Sequence, residues 1–342
     1  MNQNNFKIAR VRHPGRSLWV AALAGLLASV TGWIPVAADD PPESVPSRLR
    51  PGKDTAKTIL DRRPNLRVDT ILVTVPVAVT KASSGQMLTG LEKMNFKVYE
   101  DKIEQEILSL STEEVPLSLG VVFDASASMG WKLQPAREAV AQFLKSANPE
   151  DEFFLVQFND RPDLAVPFTS DSARIQSRLT FLQSKGGTSL LDGVYLTMSE
   201  MKKAHNGRKA ILIISDGGDN SSRYTESEVK NFVREADVQI YAIGIYESPA
   251  GRSRTPEELA GPVLLANLTE STGGKHFAVE NLSDLPNVAA KIGLELRNQY
   301  LLTYRPKNTA RDGKYRKLEV KLVNVSKIVP LRYRLGYFAP AQ

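Results

Sequence analysis

Between residues 116 and 298, apolar segments of strand length alternate with segments of helix length. The apolar pattern predicts five buried strands, at 117–123, 152–158, 209–215, 238–245 and 275–279. Six helices are predicted around them, at 133–146, 171–183, 190–204, 225–236, 256–271 and 284–298. This alternation favours an α/β fold, in which a doubly wound, Rossmann-like, mostly parallel sheet carries helices on both faces.

Two of these helices begin with a capping box. Thr225 stands three residues before Glu228, and Thr255 stands three residues before Glu258, with Pro256 at the first helical position. These residues predict where the helices at 225–236 and 256–271 start.

Both flanks of the alternating region carry strand patterns. Three strands are predicted before it and three after it, at 69–80, 96–100, 103–110, 300–304, 316–323 and 331–338. Pro76 indicates an edge strand or a bulge. Because each set of three strands would be a marginal unit alone, we expect residues 67–115 and 299–342 to pair into one small β-sandwich. The α/β domain (116–298) would then be inserted between its halves.

The first 38 residues have the composition of a signal peptide. Four basic residues open the segment: Lys7, Arg10, Arg12 and Arg16. No charge follows between Ser17 and Ala38, and Val36-Ala37-Ala38 offers the small side chains that a signal peptidase needs. The uncharged stretch also approaches the roughly 20 residues of a membrane span, so an uncleaved anchor is the alternative. Either way we expect a linker at 39–66 and an exported chain, in the periplasm, at the cell envelope or secreted.

The composition excludes several kinds of active site. The 342-residue chain has no cysteine, which rules out thiol catalysis and cysteine-bound zinc, and its three histidines disfavour a zinc enzyme or a Ser-His-Asp hydrolase. The net charge of +6 does not indicate a nucleic-acid partner, because four of the positive charges lie in the first 38 residues. Phosphate-binding and hydrolase-elbow motifs do not occur. We therefore predict that the protein is not an enzyme.

Polar residues with oxygen ligands follow two predicted strands and occupy one glycine-containing loop. Asp124, Ser126 and Ser128 come after the strand at 117–123, and Asp216 comes after the strand at 209–215. Thr188 lies in the loop Gly186-Gly187-Thr188-Ser189. Ligands of α/β sheets bind beyond the carboxyl ends of the strands. Two carboxylates and three hydroxyls there form an all-oxygen set suited to Mg²⁺, with Mn²⁺ or Ca²⁺ as alternatives.

This set resembles the metal-ion-dependent adhesion site (MIDAS) of von Willebrand factor A (VWA) domains, and the likeness covers roughly residues 116–298. Segments 90–101 and 336–340 are also similar to those of bacterial secreted proteins of this kind. The resemblance implies that the hydroxyls of Ser126, Ser128 and Thr188 touch the metal, and that Asp124 and Asp216 act directly or through water. It further implies that a glutamate or aspartate of a partner protein completes the shell of the ion.

The function expected from these features is an exported, metal-dependent, adhesion-type protein-binding module. The alternative is a structural scaffold or assembly factor of the cell envelope, in which the metal only braces loops.

Three residues close in sequence to the motif have two interpretations each. Asp192 and Asp219 are either supports of the site or solvated charges. Trp131 is either a rim residue or a helix-packing residue. His276, on a predicted strand, is expected to be structural rather than a ligand.

Overall fold

The computed structural model describes residues 71–246, 253–325 and 329–341, all within one compact unit that spans Leu66–Gln342. The predicted signal peptide or anchor (1–38) and the predicted linker (39–66) lie outside the described residues. Within the described ranges, every helix is too short or too polar to cross a membrane.

Fourteen strands and six α-helices are present in the described residues. The strands are β1 Val73–Val79, β2 Phe96–Glu100, β3 Ile103–Gln105, β4 Ile107–Ser111, β5 Leu117–Asp124, β6 Glu152–Phe158, β7 Pro162–Thr169, β8 Arg208–Ser215, β9 Gln239–Ile245, β10 His276–Val279, β11 Tyr300–Tyr304, β12 Tyr315–Leu322, β13 Leu331–Arg332 and β14 Gly336–Phe338. The helices are α1 Leu133–Leu144, α2 Ser172–Thr180, α3 Leu190–Met201, α4 Glu226–Glu235, α5 Pro256–Glu270 and α6 Leu285–Arg297.

A six-stranded sheet with the order β10-β9-β8-β5-β6-β7 forms the centre of the molecule. All neighbouring pairs are parallel except β6 and β7, which are antiparallel. The predicted α/β fold with a mostly parallel sheet is therefore confirmed. Strand β7 was not predicted, because Pro162 and Pro167 are typical of loops; both prolines are tolerated since β7 is the edge strand of the sheet.

Helices cover both faces of this sheet. Apolar side chains of α1, α2 and α6 pack on one face, and those of α3, α4 and α5 pack on the other. All eight residues of β5 are buried, because β5 lies in the middle of the sheet under both layers. The capping boxes of Thr225 with Glu228 and of Thr255 with Glu258 are both formed, which confirms the predicted starts of α4 and α5.

The remaining strands form two four-stranded sheets, with the orders β13-β1-β11-β4 and β14-β12-β2-β3. Each sheet mixes strands from before and after the central domain: β1 pairs with β11, and β2 pairs with β12. Strand β1 lies between β13 and β11 and is therefore not the edge strand that Pro76 indicated. At Pro76 itself, however, β1 pairs only with β11, through Leu301, because β13 pairs only with Ala78 and Val79. The apolar side chains of both sheets share one core.

Two predicted single strands are wrong, because each is divided between the two sheets. The stretch 103–110 forms β3 in one sheet and β4 in the other, with a break at Glu106. The stretch 331–338 divides in the same way into β13 and β14. Such corners, at which the chain changes sheets, keep the alternation of apolar and polar residues that a single strand would have.

A buried carboxylate links the two sheets. Glu100 of β2 is 2% exposed, and its Oε2 accepts hydrogen bonds from the hydroxyls of Tyr304 in β11 (2.7 Å) and Tyr337 in β14 (2.8 Å). Tyr304 belongs to the opposite sheet and comes from the segment after the central domain. The contact therefore ties the two flanking segments together within the core.

We expect Glu100→Ala to lower the free energy of unfolding by about 2 to 4 kcal/mol, because it leaves two tyrosine hydroxyls without their acceptor. Urea unfolding measures the loss. The matched control is Glu104→Ala on the neighbouring strand, where the glutamate side chain is 51% exposed and pairs with Lys97 at the surface. Equal stability losses in the two variants would contradict the linking role of Glu100.

Candidate metal site

Parallel pairing of β5 and β8 brings the first two candidate residues together. Asp124 is the last residue of β5, and Asp216 follows directly after Ser215, the last residue of β8. The Ser215 hydroxyl donates a hydrogen bond to Asp124 Oδ2 at 2.6 Å. Both aspartates are buried, with exposures of 0% and 2%. The carboxyl ends of two adjacent strands thus place two carboxylates at the same edge of the sheet.

The segment after β5, residues 125–128, lies against the loop before α3, residues 185–189. Lys185 donates its backbone N–H to Ala125 O (2.9 Å), and Ala127 donates its backbone N–H to Gly186 O (3.1 Å). Gly186 has φ +76°, a left-handed conformation that glycine adopts without strain. These reciprocal bonds align the two loops.

Thr188 is held by the third loop, residues 216–222. Asn220 donates its backbone N–H to Thr188 O (3.0 Å), and its side-chain Oδ1 accepts from Thr188 N (2.9 Å). Thr188 is 4% exposed. The backbone of the predicted threonine ligand is therefore fixed on both sides.

The two serine hydroxyls of the motif lie next to each other. Ser126 Oγ and Ser128 Oγ are 3.0 Å apart, and Ser126 is buried whereas Ser128 is half-buried. The backbone N–H of Ser126 donates to Asp124 Oδ1 at 2.9 Å, which fixes the turn after β5. The structure thus places Asp124 at the end of β5 and the other four predicted residues on the adjoining segments that follow β5, precede α3 and follow β8. Their role as metal ligands stays a prediction.

Burial makes the negative charge of Asp124 costly. Loss of hydration and the nearby Asp216 carboxylate raise the pKa of Asp124 to about 7, although hydrogen bonds from Ser126 and Ser215 oppose the shift. A site that raises the pKa of a carboxyl group in this way lacks positive charge. It favours the binding of a cation.

A lysine that the sequence analysis missed supplies part of that charge. Lys132 Nζ donates a hydrogen bond to Asp216 Oδ2 at 2.9 Å, and the two side chains are 5% and 3% exposed. Lys132 ends the 3-10 helix Ala127–Lys132, which directly follows the Asp124–Ser126 turn. From the sequence, a lysine just before a helix is expected to be a solvated charge. The one feature that could have linked Lys132 to the site is its position four residues after Ser128.

The residues at this edge fit a hard divalent cation. The donor set consists only of oxygen atoms, and one ammonium group compensates only one of the two buried carboxylates. Among the described residues, no three acidic, histidine or cysteine side chains converge closely enough to hold a metal by themselves. A metal bound here would therefore take most of its protein ligands from the hydroxyls of Ser126, Ser128 and Thr188.

Asp192 and Asp219 are not solvated charges. Asp192 is 4% exposed, and its Oδ1 accepts the backbone N–H groups of Arg223 (2.8 Å) and Tyr224 (3.0 Å). Asp219 is half-buried, and its Oδ2 accepts from Leu191 N at 2.8 Å. Both carboxylates hold the loop after β8 against the start of α3, and thereby support the position of Asp216.

Trp131 lies beside Lys132, whereas His276 lies on β10, an edge strand of the central sheet. Trp131 is 40% exposed, and its ring centroid is 5.9 Å from Lys132 Nζ, a position at the rim. His276, the first residue of β10, shares a 2.9 Å hydrogen bond between its Nε2 and the hydroxyl of Tyr246. Burial lowers the pKa of His276, which agrees with a neutral, structural side chain.

We expect the metal-free protein to lose stability as the pH rises from 5 to 8, and Asp124→Asn to reduce this loss by about 2 to 3 kcal/mol. Because the pKa of Asp124 rises from 3.8 unfolded to about 7 folded, the folded state binds more protons between these values. Stability therefore decreases as pH rises through this window. Asparagine can still accept from Ser126 N and donate to Ser215 Oγ. Urea unfolding in EDTA at both pH values tests this; parallel pH profiles would contradict it.

Comparison with known proteins relates the central domain to one family. Residues 119–218 match the family model of the von Willebrand factor type A domain, a range that includes all five candidate residues. An uncharacterised protein of Borreliella burgdorferi is 25% identical over 210 residues, which are 52% of this chain and 61% of that protein. Inter-alpha-trypsin inhibitor heavy chain H4 of Bos taurus is 28% identical over 141 residues, which are 37% of this chain and 15% of that protein. The chain thus spans less than two thirds of the length of either relative.

Among solved structures, the von Willebrand factor type A structure from Catenulispora acidiphila is 13% identical in sequence, with a TM-score of 0.45. The matched region covers 72% of this chain and 73% of the Catenulispora chain. A likeness at this level carries no argument about function. The family-model match and the mixed, mostly parallel sheet with helices on both faces lead to the same conclusion. Residues 119–218 thus match the von Willebrand factor type A model, and the central domain, from β5 to α6, has the fold of that family.

Proposed function

We propose that this protein is an exported protein-binding module that holds a divalent cation, Mg²⁺ foremost, at the candidate metal site. The ion would bind an aspartate or glutamate side chain of a partner protein. The observation that carries the proposal is the placement of two buried carboxylates, Asp124 and Asp216, beside the hydroxyl-bearing loops at the carboxyl edge of the sheet.

Each residue of the site would have a distinct role. Asp124 and Asp216 would provide the negative charge that attracts the ion, and the hydroxyls of Ser126, Ser128 and Thr188 would provide neutral ligands. Because Mg²⁺ prefers six oxygen ligands and only two carboxylates are present, the bound ion would remain electrophilic. A carboxylate from a partner would then be a favourable additional ligand.

The structure favours this role over that of a metal that merely braces loops. Backbone hydrogen bonds already join the three loops, and Asp192 and Asp219 already hold the loop after β8. Little is left for an ion to stabilise. A VWA domain also supports a binding role more than a catalytic one, as does the similarity to an inter-alpha-trypsin inhibitor heavy chain. Export is proposed from the composition of residues 1–38.

We expect Mg²⁺, Mn²⁺ or Ca²⁺ to bind EDTA-stripped protein saturably, and Thr188→Val to weaken this binding at least about tenfold, because valine keeps the shape of threonine but removes an oxygen ligand. Isothermal titration calorimetry with each metal measures the affinity. The matched control is Thr197→Val: Thr197 is buried too, but its hydroxyl donates to Gly193 O within α3 (2.8 Å).

Wild-type affinity in Thr188→Val would contradict the ligand role of Thr188. A partner obtained later serves as a second test, since its binding should be lost in EDTA and return with Mg²⁺. Partner binding that is indifferent to EDTA would refute metal-dependent adhesion.

A further inference from the structure

The ion pair between Lys132 and Asp216 occupies one of the two carboxylates of the candidate metal site. The 2.9 Å hydrogen bond runs from Lys132 Nζ to Asp216 Oδ2, and both side chains are almost fully buried. The other carboxylate oxygen, Asp216 Oδ1, has a weaker contact with Gly218 N at 3.4 Å. The stronger interaction of Asp216 is therefore with a cation that belongs to the chain itself.

A buried ion pair contributes little net free energy to the stability of a fold. Removal of an ammonium and a carboxylate from water costs more than an apolar pair of similar size, and the attraction between them often only compensates this cost. Lys132 also lies on the same segment as Ser126 and Ser128, the predicted hydroxyl ligands. Its position relates it to the metal site more than to the core.

The charges of the site indicate what Lys132 does there. Asp124 and Asp216 together carry two negative charges when ionised, and Lys132 reduces the total to one. A divalent cation that uses Asp216 would approach the ammonium group closely, within a buried region where repulsion is only weakly screened. The ion must either displace Lys132 or tolerate its charge.

We propose that Lys132 is a built-in competitor of the divalent cation for Asp216, so that metal alone binds weakly to this site. The inference rests on the proposed function, because it concerns the same site. It adds a means by which metal binding is limited: Lys132 already neutralises Asp216, so the metal-free site does not need an ion to do so.

The competition also favours an acidic partner. With the metal bound and Lys132 nearby, the two aspartates, the ammonium and the ion sum to one positive charge. A carboxylate from a partner returns this total to zero, whereas a site without Lys132 would already be neutral with metal alone. Lys132 thus weakens the binding of metal by itself and couples it to the arrival of an acidic side chain.

The test is calorimetric titration of Mg²⁺ and of Mn²⁺ into EDTA-stripped wild-type protein, Lys132→Gln and Lys185→Gln. Glutamine at position 132 keeps a hydrogen-bond donor but removes the charge. Lys185 is the matched control, because it is exposed and lies on the neighbouring loop, with its backbone N–H bonded to Ala125 O. We expect Lys132→Gln to bind at least about tenfold more tightly than wild type, and Lys185→Gln to remain within about threefold of wild type.

The outcomes separate this inference from the proposed function. Tighter binding by Lys132→Gln, including binding where wild type shows none, supports the competition. Equal or weaker binding by Lys132→Gln overturns it while leaving the metal site in place. No binding by any of the three proteins overturns both the competition and the metal-dependent function.

Lys132→Gln leaves Asp216 as a buried charge without its ion-pair partner and could therefore fail to fold, so a second variant is needed. The double variant Lys132→Gln/Asp216→Asn removes both charges, and we expect it to fold in EDTA and to bind metal no more tightly than wild type. If Lys132→Gln itself folds only with MgCl2, and not with NaCl at equal ionic strength, the competition is supported. If neither salt restores its circular dichroism spectrum, the competition is overturned.

Discussion

Parallel pairing of β5 with β8 is the constraint on which both the core and the candidate site depend. All eight residues of β5 are buried, so this strand anchors the helical layers on the two faces of the sheet. The same pairing fixes the distance between the two strand ends, where Asp124 and Asp216 stand. A parallel sheet places the carboxyl ends of its strands together, and a shift of register would separate the two carboxylates.

Burial of two neighbouring carboxylates is electrostatically unfavourable, and the positive charge of the site compensates only one of them. The pKa of Asp124 rises to about 7, and the Lys132 ammonium compensates Asp216. The negative charge that remains uncompensated is the physical basis of the proposed metal binding. The ion pair is the physical basis of its proposed control. Because both arise from the same burial, metal affinity and stability are expected to depend on each other.

The connections between the central domain and the flanking strands lie at the opposite end of β5. Chain segments enter the central domain before Leu117 and leave it after Arg297, and Arg297 pairs with the buried Asp151, whose Oδ1 also accepts from Leu117 N. The strands on either side of the domain then combine into two sheets, linked through Glu100. The site therefore lies at the edge of the sheet away from these connections, where its loops face outward.

The sequence by itself determined the features that depend on neighbouring residues: the apolar runs of β5 and β8, the capping boxes of α4 and α5, and the place of the Asp124 motif directly after an apolar strand. It did not reveal that 103–110 divides between two sheets, that the proline-containing segment 162–169 adds an edge strand, or that Lys132 pairs with Asp216. Local patterns report the period of a segment and the conformations that its residues allow. The ion pair joins residues 84 positions apart, so only the tertiary structure, through burial and strand order, could decide it.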